Sequence, residues 1–111
     1  MLFKANRESP VLRDLSRIYW RIKLEKLVNY LVLEMHPKTI ILFGSLAKLE
    51  SKADSDIDIC IISKIKKKLN LLKFENINNR KIQLFDYLSI EKINKELKNN
   101  ILNGYVLYGE I

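Results

Sequence analysis

The chain holds one cysteine, one histidine, one tryptophan, two prolines and three glycines in 111 residues. Each scarcity removes a class of function. A single cysteine, Cys60, forbids an internal disulfide, and in an apolar, strand-like stretch it reads as a core residue. With His36 alone, this chain can assemble neither a histidine metal cluster nor a histidine-based nucleophile triad. Three glycines leave no Gly-rich dinucleotide fingerprint, and nothing matches a Walker A loop. No run approaches the ~20 apolar residues that cross a bilayer. The start, Met1-Leu2-Phe3-Lys4-Ala5-Asn6-Arg7-Glu8, lacks an apolar core of signal-peptide length. A cytoplasmic protein without membrane contact is the expectation.

What is present belongs to a folded chain: 48% apolar and 30% charged residues, enough for one domain over 1–111 with a modest core. The net charge of +7 attracts polyanions, yet no nucleic-acid recognition motif accompanies it, so a nucleic-acid partner is not favoured. Lys64, Lys66, Lys67 and Lys68 read as a solvated loop.

The pattern predicts one long helix over 10 to about 35, with Ser9 as N-cap and Pro10 in the first position. Leu15, Ile18, Ile22, Leu27, Leu31 and Met35 are expected on its buried face, and Arg13, Arg17 and Arg21 on a solvated one. His36-Pro37 ends it. Strands are expected at about 38–43, 56–62 and 81–87. A helix capped by Ser89 follows, with Ile90, Ile93, Leu97 and Ile101 on one face and Gly104 at its end. Tyr105–Tyr108 reads as a last short strand, and 65–80 carries no clear pattern. The sum is an α+β fold in two layers, a small mixed β-sheet with helices packed mainly on one face.

The chemistry concentrates in two places. Ile40-Ile41-Leu42-Phe43 runs as a buried strand into Gly44-Ser45-Leu46-Ala47-Lys48; ten residues after Ser45 comes Asp56-Ile57-Asp58, at the mouth of the next strand. On a strand, side chains two apart leave the same face, with Cα atoms about 6.5–7 Å apart. Carboxylates held that way repel unless a hard cation lies between them, and such oxygen donors suit Mg²⁺. A Gly-Ser turn offers N–H groups and a hydroxyl to an anion. A metal on one side and an anion cradle on the other describe a site for a nucleoside triphosphate. The competing reading of Asp54-Ser55-Asp56-Ile57-Asp58 as an EF-hand fails, because Ile59 and Ile65 stand where Gly and Glu are required.

Gly44-Ser45, ten residues, then Asp56-x-Asp58 resembles the signature of the nucleotidyltransferase superfamily that includes DNA polymerase β. In a chain this short it looks like a minimal nucleotidyltransferase of prokaryotes, and the likeness runs over most of the chain. Lys48-Leu49 stands where that family usually carries Arg-Gly. The resemblance implies a third carboxylate on a following strand, assigned here to Asp86 on the expectation that its strand runs antiparallel beside the first carboxylates. It implies Asp56, Asp58 and Asp86 as catalytic and metal-holding residues, Gly44, Ser45 and Lys48 as nucleotide-binding ones, Mg²⁺ as cofactor and ATP as donor. It further implies AMP transfer to a hydroxyl of a docking protein, a tyrosine of a HEPN-type toxin, with this chain as antitoxin. Two other readings stay open. One is a catalytically weak module that neutralises its partner by occupying it; the other is transfer to RNA or to a small molecule. The sheet face of Asp58, Cys60 and Ile62 is expected to be apolar beyond the carboxylates and covered by 65–80.

Overall fold

The computed structural model describes residues 10–47 and 55–110. In chain order the elements are α1 (Pro10–Lys23), α2 (Glu25–Met35), β1 (Thr39–Phe43), β2 (Ile57–Ile62), α3 (Leu72–Asn78), β3 (Ile82–Tyr87), α4 (Lys95–Leu102) and β4 (Tyr105–Gly109). Short 3-10 turns at Gly44–Leu46 and Ile90–Lys92 follow β1 and β3. The strands form one mixed sheet in the order β3-β2-β1-β4. β1 pairs antiparallel with both β2 and β4, whereas β2 and β3 run parallel. None of the described helices is long and apolar enough to cross a membrane.

The sheet buries both faces, as the unbroken apolar run of β1 requires. On one face Ile40, Leu42, Ile57, Ile59 and Ile61 pack against Leu27, Leu31 and Met35 of α2, with Trp20 of α1 and Phe74 of α3 in the same cluster. On the other, Ile41, Phe43, Cys60 and Ile62 pack against Ile93 and Ile101, joined by Leu97 and Ile90. Three of the four described helices thus lie on one face. The face of Asp58 and Cys60 is covered by α4 and the turn before it, not by 65–80, whose helix α3 packs on the opposite side. The cap of α4 is Asn94, whose side chain accepts from the Leu97 N–H at 2.9 Å; Ser89 instead precedes the 3-10 turn. Ser9 lies outside the described residues.

The long N-terminal helix is two helices meeting at Leu24, and its outer half is turned over. Leu27, Leu31 and Met35 are buried, but Leu15, Ile18 and Ile22 are exposed. The reason is a step of five residues from Ile22 to Leu27, which carries a helical stripe through about 140° at 100° per residue. Arg13 and Arg21, expected on a solvated face, reach backbone carbonyls of neighbouring elements, Arg13 half-buried and Arg21 still exposed. Arg13 donates to the carbonyls of Ala47 and Asn103, both at 3.3 Å, and Arg21 donates to that of Val106 at 2.9 Å. β4 is an edge strand, and an edge left with bare carbonyls invites foreign pairing. α1 lays its arginine face along that edge instead of its apolar face on the sheet.

Candidate active site

β1 ends with Phe43 opposite Asp58 of β2, so the first residue past β1 falls beside that carboxylate. That residue is Gly44, at φ +80°, in the left-handed region where a side chain is strained. A Cβ there would run into the carboxylate of Asp58, with Cγ at 3.3 Å and the Asp58 Cβ at 3.5 Å. Glycine therefore permits both the turn and the contact between the turn backbone and the acid. From Gly44 the chain wraps as a 3-10 turn whose Leu46 is buried, so the core holds the turn and leaves Ser45 partly exposed. Lys48 and Leu49 lie outside the described residues.

Asp56 and Asp58 lie together at the start of β2, as their spacing requires. Burial, and after it the charge of Asp56, hold the Asp58 carboxyl above its ordinary value. The folded value exceeds the unfolded one, so the folded chain keeps this proton more tightly and stability falls as pH rises through that window. At neutral pH the ionised pair is a cost that a cation would relieve. Thermal melting in chelator should therefore find Asp58→Asn no less stable than the parent at pH 7. Added Mg²⁺ should raise the melting temperature of the parent alone.

The expectation for Asp86 fails. The β2–β3 pair is parallel, with Asp58 opposite Gln83 and Ile61 opposite Asp86. Asp86 is thus further along the sheet and on the reverse face, since partners across a ladder share a face and residues an odd number apart do not. There it borders a cavity of about 200 Å³ with Met35, Ile61, Lys67, Leu69, Leu71 and Leu84, and its buried Oδ1 has no hydrogen-bond partner among the described residues. The residue that faces the carboxylate pair is Gln83, whose Nε2 donates to Asp56 Oδ2 at 2.8 Å. On β3 the residue opposite Asp58 is thus an amide, not the third carboxylate expected beside the pair. Two signals for this were available. The connection from 63 to 81 is long enough for a crossover, which parallel strands need and a hairpin does not. And in Ile82-Gln83-Leu84-Phe85 the glutamine stands at the strand entrance, as Asp58 does in its own strand.

Neighbouring contacts fix the strand ends. Ile57 N–H donates to the Lys81 carbonyl at 2.8 Å, and Arg80 Nη1 to that of Ser55 at 2.7 Å, so the segment carrying Asp56 is tied to the entrance of β3. The Arg80 guanidinium also lies over the Trp20 ring, 5.5 Å from its centre. Cys60, two residues past Asp58, is fully buried; burial first, then the charge of Asp86, push its thiol up to about 12, which leaves it inert as a nucleophile.

The donor set decides what the site can hold. Among the described residues no group of three His, Cys, Asp or Glu side chains comes together for a metal. Two carboxylates suit a single Mg²⁺, which uses one or two of them and completes its shell with water and substrate phosphate oxygens. They do not supply a second all-carboxylate position.

A mixed four-stranded α+β sheet, with a Gly-Ser turn and a carboxylate pair across adjoining strand ends, is consistent with a nucleotidyltransferase domain. The chain belongs to that class by descent as well: a family model described as polymerase beta, nucleotidyltransferase matches residues 25–110, and the protein is a member of this family. No curated protein matches the chain.

Proposed function

We propose that the protein transfers AMP from ATP to a hydroxyl of a partner protein, with Mg²⁺ held by Asp56 and Asp58. The observation that carries this reading is the contact of Gly44 with Asp58, which joins the anion-binding turn to the acid pair. Gly44 and Ser45 present backbone N–H groups and a hydroxyl to the outer phosphates. Asp56 and Asp58 anchor the ion. The ion, when bound, offsets the charge that develops on the departing pyrophosphate. Gln83 orients Asp56 through its amide N–H and, as an amide, does not itself take the proton of the acceptor hydroxyl. In this reading the chain serves as the antitoxin of a HEPN-type toxin, the modified hydroxyl being the toxin's.

Gln83 also favours a second reading, a domain that binds Mg²⁺-ATP and its partner and neutralises the partner by occupying it. Incubation with α-labelled ATP, Mg²⁺ and the toxin candidate separates the two. Label on the toxin is expected with the parent and with Asp86→Asn, and none with Asp58→Asn. Nucleotide binding without label transfer by the parent selects the second reading, and loss of transfer in Asp86→Asn contradicts the site described above.

A further inference from the structure

The exposed face of α1 is too ordered to be ordinary surface. Val11, Leu15, Ile18 and Ile22 are 65%, 58%, 51% and 68% exposed, and Tyr19 beside them is 55% exposed. Their steps of four, three and four are those of a coiled-coil seam, in which apolar positions recur every 3.5 residues on average. The core does not need this face: Trp20 is the one buried residue of α1, Arg13 reaches Asn103 from the opposite side, and Arg21 reaches Val106 of β4 from the flank.

We infer that α1 is a self-association helix, pairing antiparallel with α1 of a second copy about a two-fold axis between Leu15 and Ile18. Leu15 then meets Ile18 of the second copy, and Val11 meets Ile22. The flanks choose the direction. Asp14 and Arg21 lie on one side of the seam, Leu12 and Tyr19 on the other. Antiparallel pairing sets like flank against like flank, so Asp14 faces Arg21 of the second copy twice over, and Leu12 faces Tyr19. Parallel pairing would set the charged flank of each chain against the apolar flank of the other. The Asp14–Arg17 contact at 3.0 Å within one chain is exposed and yields readily. Arg21 spends one Nη on Val106, and its remaining donors stay on the flank. Half-exposed side chains of this size present roughly 100 Å² each, so the pairing removes about 1,000 Å² from water in all, the size at which a specific interface begins.

Sedimentation of the purified full chain tests this. A dimer is expected, with a melting temperature that rises with protein concentration; Ile18→Lys should convert it to a folded monomer whose lower melting temperature no longer depends on concentration. Asp14→Arg and Arg21→Asp should each weaken dimerisation about tenfold or more, and the double exchange should restore it. A parent that stays monomeric at every accessible concentration overturns the proposal. So does a dimer indifferent to Ile18→Lys, and so does a double exchange no better than either single change.

Discussion

Replacing Gln83 by aspartate is expected to raise the rate of nucleotidyl transfer by about 10²–10⁴-fold, the range that a positioned general base contributes. Gln83 is the partner of Asp58 across the β2–β3 ladder, is exposed, and already touches Asp56. Aspartate is shorter by one methylene and isoelectronic at its terminus, so it fits the strand without repacking the core. What changes is charge and basicity: a third carboxylate can accept the acceptor's proton and offer a second divalent ion its ligand. The same substitution crowds negative charge around Asp58. Without metal, Gln83→Asp should therefore melt below the parent at neutral pH, and Mg²⁺ should stabilise it more than it stabilises the parent. Initial rates with labelled ATP, and metal titrations followed by melting, read the two effects apart. A variant no faster than the parent, with unchanged metal response, would show that Gln83 is not the missing part of the site.

Gly44→Ala should be the most damaging single change outside the core. The left-handed conformation at φ +80° costs an L-residue about 1–2 kcal/mol. The added Cβ also falls on the Asp58 carboxylate, which must swing away from the turn. Loss of Mg²⁺-ATP binding is expected along with a lower melting temperature. A double-mutant cycle isolates the second term: in Gly44→Ala/Asp58→Ala the clash is gone, so part of the stability returns while binding does not. If Gly44→Ala costs as much with Asp58 absent as present, the turn and the acid are not in contact.

The parts of this site that depend on short stretches of chain were readable without coordinates. Gly44-Ser45 and Asp56-x-Asp58 each lie at a strand end, and a strand end fixes which side chains share a face. The place of Asp86 depends on pairing direction, which no local pattern in β3 encodes. Ile82-Gln83-Leu84-Phe85-Asp86 alternates equally well for a parallel or an antiparallel neighbour. The backbone partners of Arg13 and Arg21 are hidden from the sequence for a similar reason. Their partners, Asn103 and Val106, are far away in sequence, and whether an arginine meets water or an edge-strand carbonyl is settled only by tertiary packing. The turned-over apolar stripe was different, because the five-residue step from Ile22 to Leu27 is visible in the letters themselves.

The clasp between α1 and β4 also sets an order of events. Arg13 reaches Asn103 and Arg21 reaches Val106, so the earliest described helix is secured by the latest described strand. A ribosome delivers β4 only after everything else described has emerged. Until then Arg21 lacks its partner on the edge, and Arg13 has only the Ala47 carbonyl of its two. Contacts of such long span must await closure of nearly the whole chain and slow the folding of domains that rely on them. Of the described helices, the first made is held in part by the last strand described.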